Sequence, residues 1–86
     1  VKHPSKTAEK RMRGRGWMNL RESVLLRDQY QCRRCGCVVL PKDAECDHIV
    51  PLVDGGKNEA ENLQTLCKTC HAEKSAAENR RRGFGW

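Results

Sequence analysis

Aromatic residues are scarce in this 86-residue chain, which has only Trp17, Tyr30, Phe84 and Trp86. With 37% apolar residues, so few large side chains limit it to one small domain with a thin core, a size that commonly needs a covalent or metal staple to offset chain entropy. Long apolar runs are missing as well. No stretch resembles a signal peptide or a membrane span, which leads us to expect a cytoplasmic protein with no membrane partner. Repeats and low-complexity tracts are also lacking, so no solenoid or fibrous architecture is implied.

Cysteine, by contrast, is plentiful, with six in the chain. Three disulfides of a secreted mini-protein are one way to use them. The spacing argues otherwise. Cys32/Cys35 and Cys67/Cys70 form two C-x-x-C pairs, which suit tetrahedral thiolate coordination, and a chain without an export signal fits a reducing compartment. These four are the expected ligands of a structural zinc ion, whose binding energy of about 10 kcal/mol or more rivals the whole stability of a small domain. Thirty-one residues separate the pairs, against roughly 15 to 20 in simple zinc ribbons, so a segment is inserted between the knuckles. Cys37 and Cys46 are left over and read as small buried apolar residues. Cys67-x-x-Cys70-His71 also fits c-type haem attachment, but that reading leaves the first knuckle unexplained.

The formal charge is +6, from 17 Lys/Arg and 11 Asp/Glu, and it is unevenly spread. Residues 1–16 carry six basic groups and one acid, Arg80, Arg81 and Arg82 add three positive charges, and residues 17–79 carry eight basic and ten acidic groups. The positive charge thus sits in two arms on a near-neutral body. Such arms suit phosphate contacts, which makes nucleic acid the expected partner through Lys10, Arg11, Arg13, Arg15, Arg80, Arg81 and Arg82, the alternative being solvated tails.

Three regions follow: a basic flexible arm over residues 1–16, a domain over 17–79, and a basic tail over 80–86. Trp17, Leu20, Val24 and Leu25 recur at helical spacing and predict an amphipathic helix to about Gln29, with Asn19 as N-cap and Glu22 completing a capping box. Trp17 and Leu20 are expected in the core, not as binding platforms. Gly36 closes the first knuckle at a positive φ. Val38 to Leu40 and Glu45 to Leu52 read as two strands, Asp54-Gly55-Gly56 breaks the chain, Asn58 to Asn62 reads as one helical turn, and Leu63 to Leu66 as a brief extended piece. A helix is expected from Cys67 or Cys70 to about Asn79. The fold class is therefore α+β: two strands and a helix braced by cysteine knuckles, with an additional N-terminal helix.

Within the insert lies Asp47-His48-Ile49-Val50-Pro51-Leu52, followed by Gly55-Gly56 and by Glu61-Asn62-Leu63-Gln64-Thr65-Leu66-Cys67-x-x-Cys70-His71. This pattern resembles the HNH endonuclease family, the ββα-metal nucleases, in its zinc-stapled phage and bacterial branch. The likeness spans roughly residues 15 to 75. It implies a metal-dependent DNA endonuclease in which His48 is the general base, Asn62 orients its ring, and Asp47 and His71 bind the catalytic divalent metal. Physical chemistry supports each role. A neutral imidazole can accept a proton from water at neutral pH, and a metal ion can stabilise charge on phosphate oxygens.

Adjacent strand residues point to opposite faces, so Asp47 and His48 are expected to flank a phosphate from two sides. The place one helical turn after His71 is Ser75, a poor ligand, which leaves an open, oxygen-rich site suited to Mg²⁺ or Mn²⁺, with Ni²⁺ or Zn²⁺ also admitted by the imidazole. Lys74 and Lys68 are candidates for phosphate contacts, a solvated helix face being an equal account. His3 is a bystander. A monomer is expected, nicking one strand at a time unless paired or joined by a protein partner such as phage packaging or restriction machinery. The competing class is a non-catalytic zinc-ribbon module that binds nucleic acid.

Overall fold

The computed structural model describes residues 10–83. Helix α1 (Gly14–Arg27) opens it, and Gly14, at φ +73°, turns the arm into the helix in a conformation only glycine takes cheaply. The N-cap is Arg13, with no side-chain bond, so the expected Asn19–Glu22 capping box lies inside the helix. Residues 14–16, expected in the arm, are its first turn. Of the expected face, Val24 and Leu25 are buried, as is Asp28 just beyond the helix, whereas Trp17 and Leu20, expected in the core, reach only partial burial.

Beyond the helix, Gln29 (φ 56°) and Tyr30 (φ 54°) both take the left-handed conformation, at roughly 1 kcal/mol or more each. The turn is held by the Tyr30 N–H on the Leu25 carbonyl at 2.9 Å and by Asp28 beneath it. It reverses the chain into the first knuckle, where Gly36, at φ +84° as expected, donates to the Cys32 carbonyl at 2.8 Å.

Of the expected strand over Val38 to Leu40 only a single bridge forms, Gln31 to Val38. Val39 alone turns inward, while Val38 and Leu40 stay exposed, and Pro41–Asp43 then makes a single 3-10 turn. The two-stranded sheet is instead β1 (Glu45–His48) antiparallel to β2 (Leu63–Leu66), with Glu45 opposite Leu66, Cys46 opposite Thr65, Asp47 opposite Gln64 and His48 opposite Leu63. The brief extended piece is thus the true partner strand.

β1 also stops four residues short of the expected Leu52. The Asn62 side chain takes both polar groups of the Val50 backbone, accepting from its N–H at 2.9 Å and donating to its carbonyl at 3.0 Å, and Pro51 has no N–H to give. The ladder cannot continue. Single 3-10 turns at Leu52–Asp54 and Ala60–Asn62 carry the chain back to β2. Helix α2 (Lys68–Arg81) follows, its N-cap Cys67 accepting from the Cys70 N–H through sulfur.

Among the described residues two small clusters form within the core, Leu25, Val39 and Ala44 in one and Cys32, Leu66 and Cys70 in the other, with Cys67 packed against both; Val24 and Leu63 are buried as well. The second consists largely of metal-ligand residues, so packing and coordination are one structure. Buried Asp28 joins α1 to the sheet. It accepts from Arg27, from Arg33 at 2.9 Å and from the Thr65 N–H at 3.0 Å, while Arg27 also donates to the carbonyls of Ala60 and Leu63, both at 2.8 Å. Among the described residues no helix is long and apolar enough to cross a membrane.

Candidate active site and metal centre

The four paired cysteines meet as the sequence predicts: one sulfur from each of Cys32, Cys35, Cys67 and Cys70 lies within 4.8 Å of the others. Each knuckle turns an amide onto its first sulfur, Cys35 N–H onto Cys32 and Cys70 N–H onto Cys67, both at 3.4 Å. Burial pushes the Cys32 thiol up, but backbone amides, led by that of Cys35 and followed by those of Cys67 and Arg34, outweigh it and hold it at about 6. Cys67 is also lowered, first by the Cys70 N–H, whereas Cys70 is raised by the hydrogen bond it shares with Cys67. Four thiolates this close repel, and a cation is what allows all to ionise together. The cluster is a metal-binding site. Of the spare cysteines, Cys37 is exposed, contrary to expectation, and Cys46 is half-buried with its thiol pushed up to about 11, mainly by burial.

A second site lies on the other end of the sheet, where a cavity of about 310 Å³ is lined by Asp47, His48, His71 and Ser75 together with Trp17 and Arg11. Asp47 and His48, adjacent on β1, both line it. Asp47, buried, turns its Oδ1 toward His71 Nε2 at 3.7 Å and its Oδ2 toward Gln64 Nε2 at 3.0 Å and Lys74 Nζ at 3.1 Å. The carboxylate is therefore half engaged and half presented.

His48, the last residue of β1, is held differently. Its Nε2 lies 2.8 Å from Asn58 Oδ1, and the Asn58 amide nitrogen donates to the Lys10 carbonyl at 2.8 Å. A flipped amide would set oxygen against oxygen at Lys10, so the carbonyl end of Asn58 must face the ring. In the neutral imidazole Nε2 then carries the proton and Nδ1 keeps the lone pair. Trp17 stacks on the same ring, centroids 6.0 Å apart and planes 10° from parallel.

Three expectations change here. Asn62 does not reach His48; it grips Val50 and donates to the Lys57 carbonyl at 2.9 Å, so it shapes the loop after β1. Gly56 is packed so tightly into this loop that an added Cβ would stand 1.8 Å from the Val50 oxygen. Lys74 is not an outward phosphate contact. It is mostly buried, bonded to Asp47, to Glu78 and to the His48 carbonyl at 3.0 Å. Trp17 belongs to the site, not the core. Asn58 and Trp17 had no local sequence signal, since one sits in a polar loop and the other on a stripe that reads as packing.

Among the arm residues, Lys10, Arg11, Arg13 and Arg15 are exposed, and Arg11 lines the cavity. In the tail, Arg80 and Arg81 are exposed, but Arg82 is half-buried and paired with Asp54 at 3.1 Å, which ties the end of α2 to the loop after β1. His3, Phe84 and Trp86 lie outside the described residues.

Comparison with known proteins finds similarity at the level of family and sequence. The HNH endonuclease family model matches residues 32–77. A probable HNH endonuclease of Lactococcus phage SK1 is 37% identical over 73 residues, covering 78% of this chain and 77% of its own. A protein of Nostoc sp. named anaredoxin is 33% identical over 51 residues, covering 59% of this chain and 64% of its own. No solved structure matches at a significant level.

Proposed function

Since the chain belongs to the HNH endonuclease family, we propose that it is a metal-dependent DNA endonuclease, with His48 as general base and Asp47 and His71 as the protein ligands of the catalytic metal. One observation carries the reading: a single cavity holds an imidazole whose Nδ1 lone pair is kept free by Asn58 and, across it, a carboxylate oxygen and an imidazole nitrogen 3.7 Å apart. That span fits one divalent ion with bonds of about 2.1 Å to each. An ion held there would supply Lewis-acid charge to the non-bridging and leaving oxygens of a phosphodiester.

The residues of the chain account for the rest of the chemistry. His48 takes the proton of the attacking water at Nδ1 while Asn58 keeps Nε2 protonated and the ring in register. Trp17 bars the ring from turning. Asp47 and His71 hold the opposite side of the phosphate, so that attack and departure lie in line. Lys10, Arg11, Arg13, Arg15, Arg80 and Arg81 follow the DNA backbone, and Arg11 stands nearest the scissile bond. Such contacts are to phosphates, so sequence preference is weak unless a partner supplies it. The four-cysteine site holds zinc, which its all-sulfur set favours. A protein with one such site acts as a monomer that cuts one strand at a time, in the cytoplasm of a bacterial or phage-infected cell, with packaging or restriction machinery as a fitting protein partner.

The alternative, a metal-ribbon module that only binds nucleic acid, accounts for the cysteines and charge but not for the cavity. A supercoiled-plasmid nicking assay with Mg²⁺, Mn²⁺ or Ni²⁺ separates them. The wild type should nick, and His48→Ala, verified to retain its full complement of structural metal, should not. Equal activity of the two, or none in either, would leave the binding module in possession. Neutralising about six phosphates also predicts a log-log salt slope of roughly −5 for DNA binding.

A further inference from the structure

Lys74 is the unexpected member of the site. It lies three residues after His71 on α2, so both side chains leave the same helix face toward β1. Its side chain is only 19% exposed, an unusual state for a lysine, and its ammonium has three oxygen partners: Asp47 Oδ2 at 3.1 Å, the His48 carbonyl at 3.0 Å, and the Glu78 carboxylate. The first two belong to the residues proposed as ligand and base. Glu78, its side chain 12% exposed, is likewise held close and supplies a counter-charge in so sheltered a place.

Consider what the ammonium does to Asp47. A free carboxylate beside a divalent ion can bind through either oxygen, through both, or swing between them. Here Oδ2 is already committed, to Lys74 on one side and Gln64 at 3.0 Å on the other. Only Oδ1 faces His71. A positive charge so near the ligand also repels a dication, which costs affinity. The arrangement gives up strength of binding and gains a fixed position for the ion relative to His48, whose backbone the same ammonium holds.

We propose that Lys74 is a positioning residue for the catalytic ion: by holding Asp47 through Oδ2 it restricts that carboxylate to one-oxygen ligation and sets the ion's distance from His48. The inference rests on the reading of Asp47 and His71 as metal ligands. It differs from a scaffolding role in a measurable way. Loss of a mere scaffold weakens metal binding and turnover together, whereas loss of this ammonium separates them.

The test uses the whole chain with its cysteine site loaded with zinc, titrated with Mn²⁺ and followed by electron paramagnetic resonance, alongside plasmid nicking at saturating Mn²⁺. Lys74→Met should bind Mn²⁺ more tightly, by about 3- to 10-fold, because a like charge has been removed from beside the ligand. Its turnover should nevertheless fall about 10-fold or more, as misplacement by an ångström or so does, and the Mn²⁺ line shape should change. Unchanged affinity and turnover would overturn the proposal, and so would a parallel loss of both. Should Lys74→Met fail to fold, the double variant K74M/E78Q, which removes both halves of the ion pair, should keep near wild-type Mn²⁺ affinity because opposite charges leave together, while its line shape changes and its turnover falls about 10-fold; unchanged line shape and turnover would overturn the proposal. The underlying reading fails separately: in that case wild-type Mn²⁺ binding would be absent, or would survive Asp47→Ala.

Discussion

The indole of Trp17 lies flat against the imidazole of His48, with centroids 6.0 Å apart and planes 10° from parallel. The contact joins the first full turn of α1 to the last residue of β1, so a helix outside the ββα unit buttresses the proposed base. Stacked aromatic pairs contribute about 0.5–1.5 kcal/mol beyond burial. Trp17→Ala should therefore lower the nicking rate about 10-fold with little change in Tm, and Trp17→Phe should recover most of the loss. Met18→Ala, at a neighbouring exposed position, is the control that should do neither. Steady-state nicking rates and thermal melts of the three variants check this.

Two asparagines of one loop divide the work expected of one. Asn58 touches the His48 ring and Asn62 the loop backbone. Asn58→Ala should leave the fold largely intact while cutting turnover by about 10- to 100-fold, because the ring then loses the group that selects its tautomer. Asn62→Ala removes three hydrogen bonds from Val50 and Lys57, at about 1 kcal/mol each, and should lower stability by about 2–3 kcal/mol. Chemical denaturation beside single-turnover cleavage distinguishes the two profiles. Equal stability losses in both variants would refute the division.

Metal at the cysteine cluster should be a condition of folding. The largest fully buried side chains are Leu25, Leu63, Leu66, Val24 and Thr65, and four aliphatic side chains at about 1.5–3 kcal/mol apiece do not offset the ordering of some 70 residues. Chelation at neutral pH is expected to abolish the cooperative melt and most of the helical circular dichroism, and Cys32→Ser should do the same without chelator. Cys37→Ser should leave metal content unchanged. The neighbouring Cys35 sulfur leads the effects that push the Cys37 thiol up to about 12, which disfavours it as a thiolate ligand.

Much of this was legible in the chain. The C-x-x-C spacing located all four sulfurs, and the Asp47-His48 and Cys67-x-x-Cys70-His71 strings located the cavity, because ligand chemistry constrains spacing tightly. Strand pairing was less visible. Val38 to Leu40 is more apolar than Leu63 to Leu66, and composition favoured it, but pairing is decided by which segment the loop returns alongside β1, and the Asn62 grip on Val50 sets that return. Lys74 read as a surface lysine because nothing local shows that Asp47, 27 positions earlier, lies beneath it. Long-range ion pairs of this kind leave no periodic trace.

Asp28 makes a contribution to stability that should hold constant across the pH range in which the structural metal stays bound. Burial pushes its carboxyl up, but hydrogen bonds from Arg27, the Thr65 amide and Arg33 prevail and hold it at about 2, below the ordinary 3.8. A carboxyl depressed in the folded state favours folding wherever it is ionised in both states, so its contribution of about 2 kcal/mol is complete above about pH 5 and is lost as pH falls through 3.8 toward 2. Asp28→Asn removes the charge at every pH and leaves Arg27 and Arg33 without their anion. At pH 7 it should be less stable than wild type by about 3 kcal/mol. The comparison is made where both proteins keep their structural metal: the gap in denaturation free energy should be constant from pH 7 to about 5.5, because Asp28 is ionised in the folded and unfolded states alike across that window. A gap that instead closes between pH 7 and about 5.5 would trace the stability to some other group.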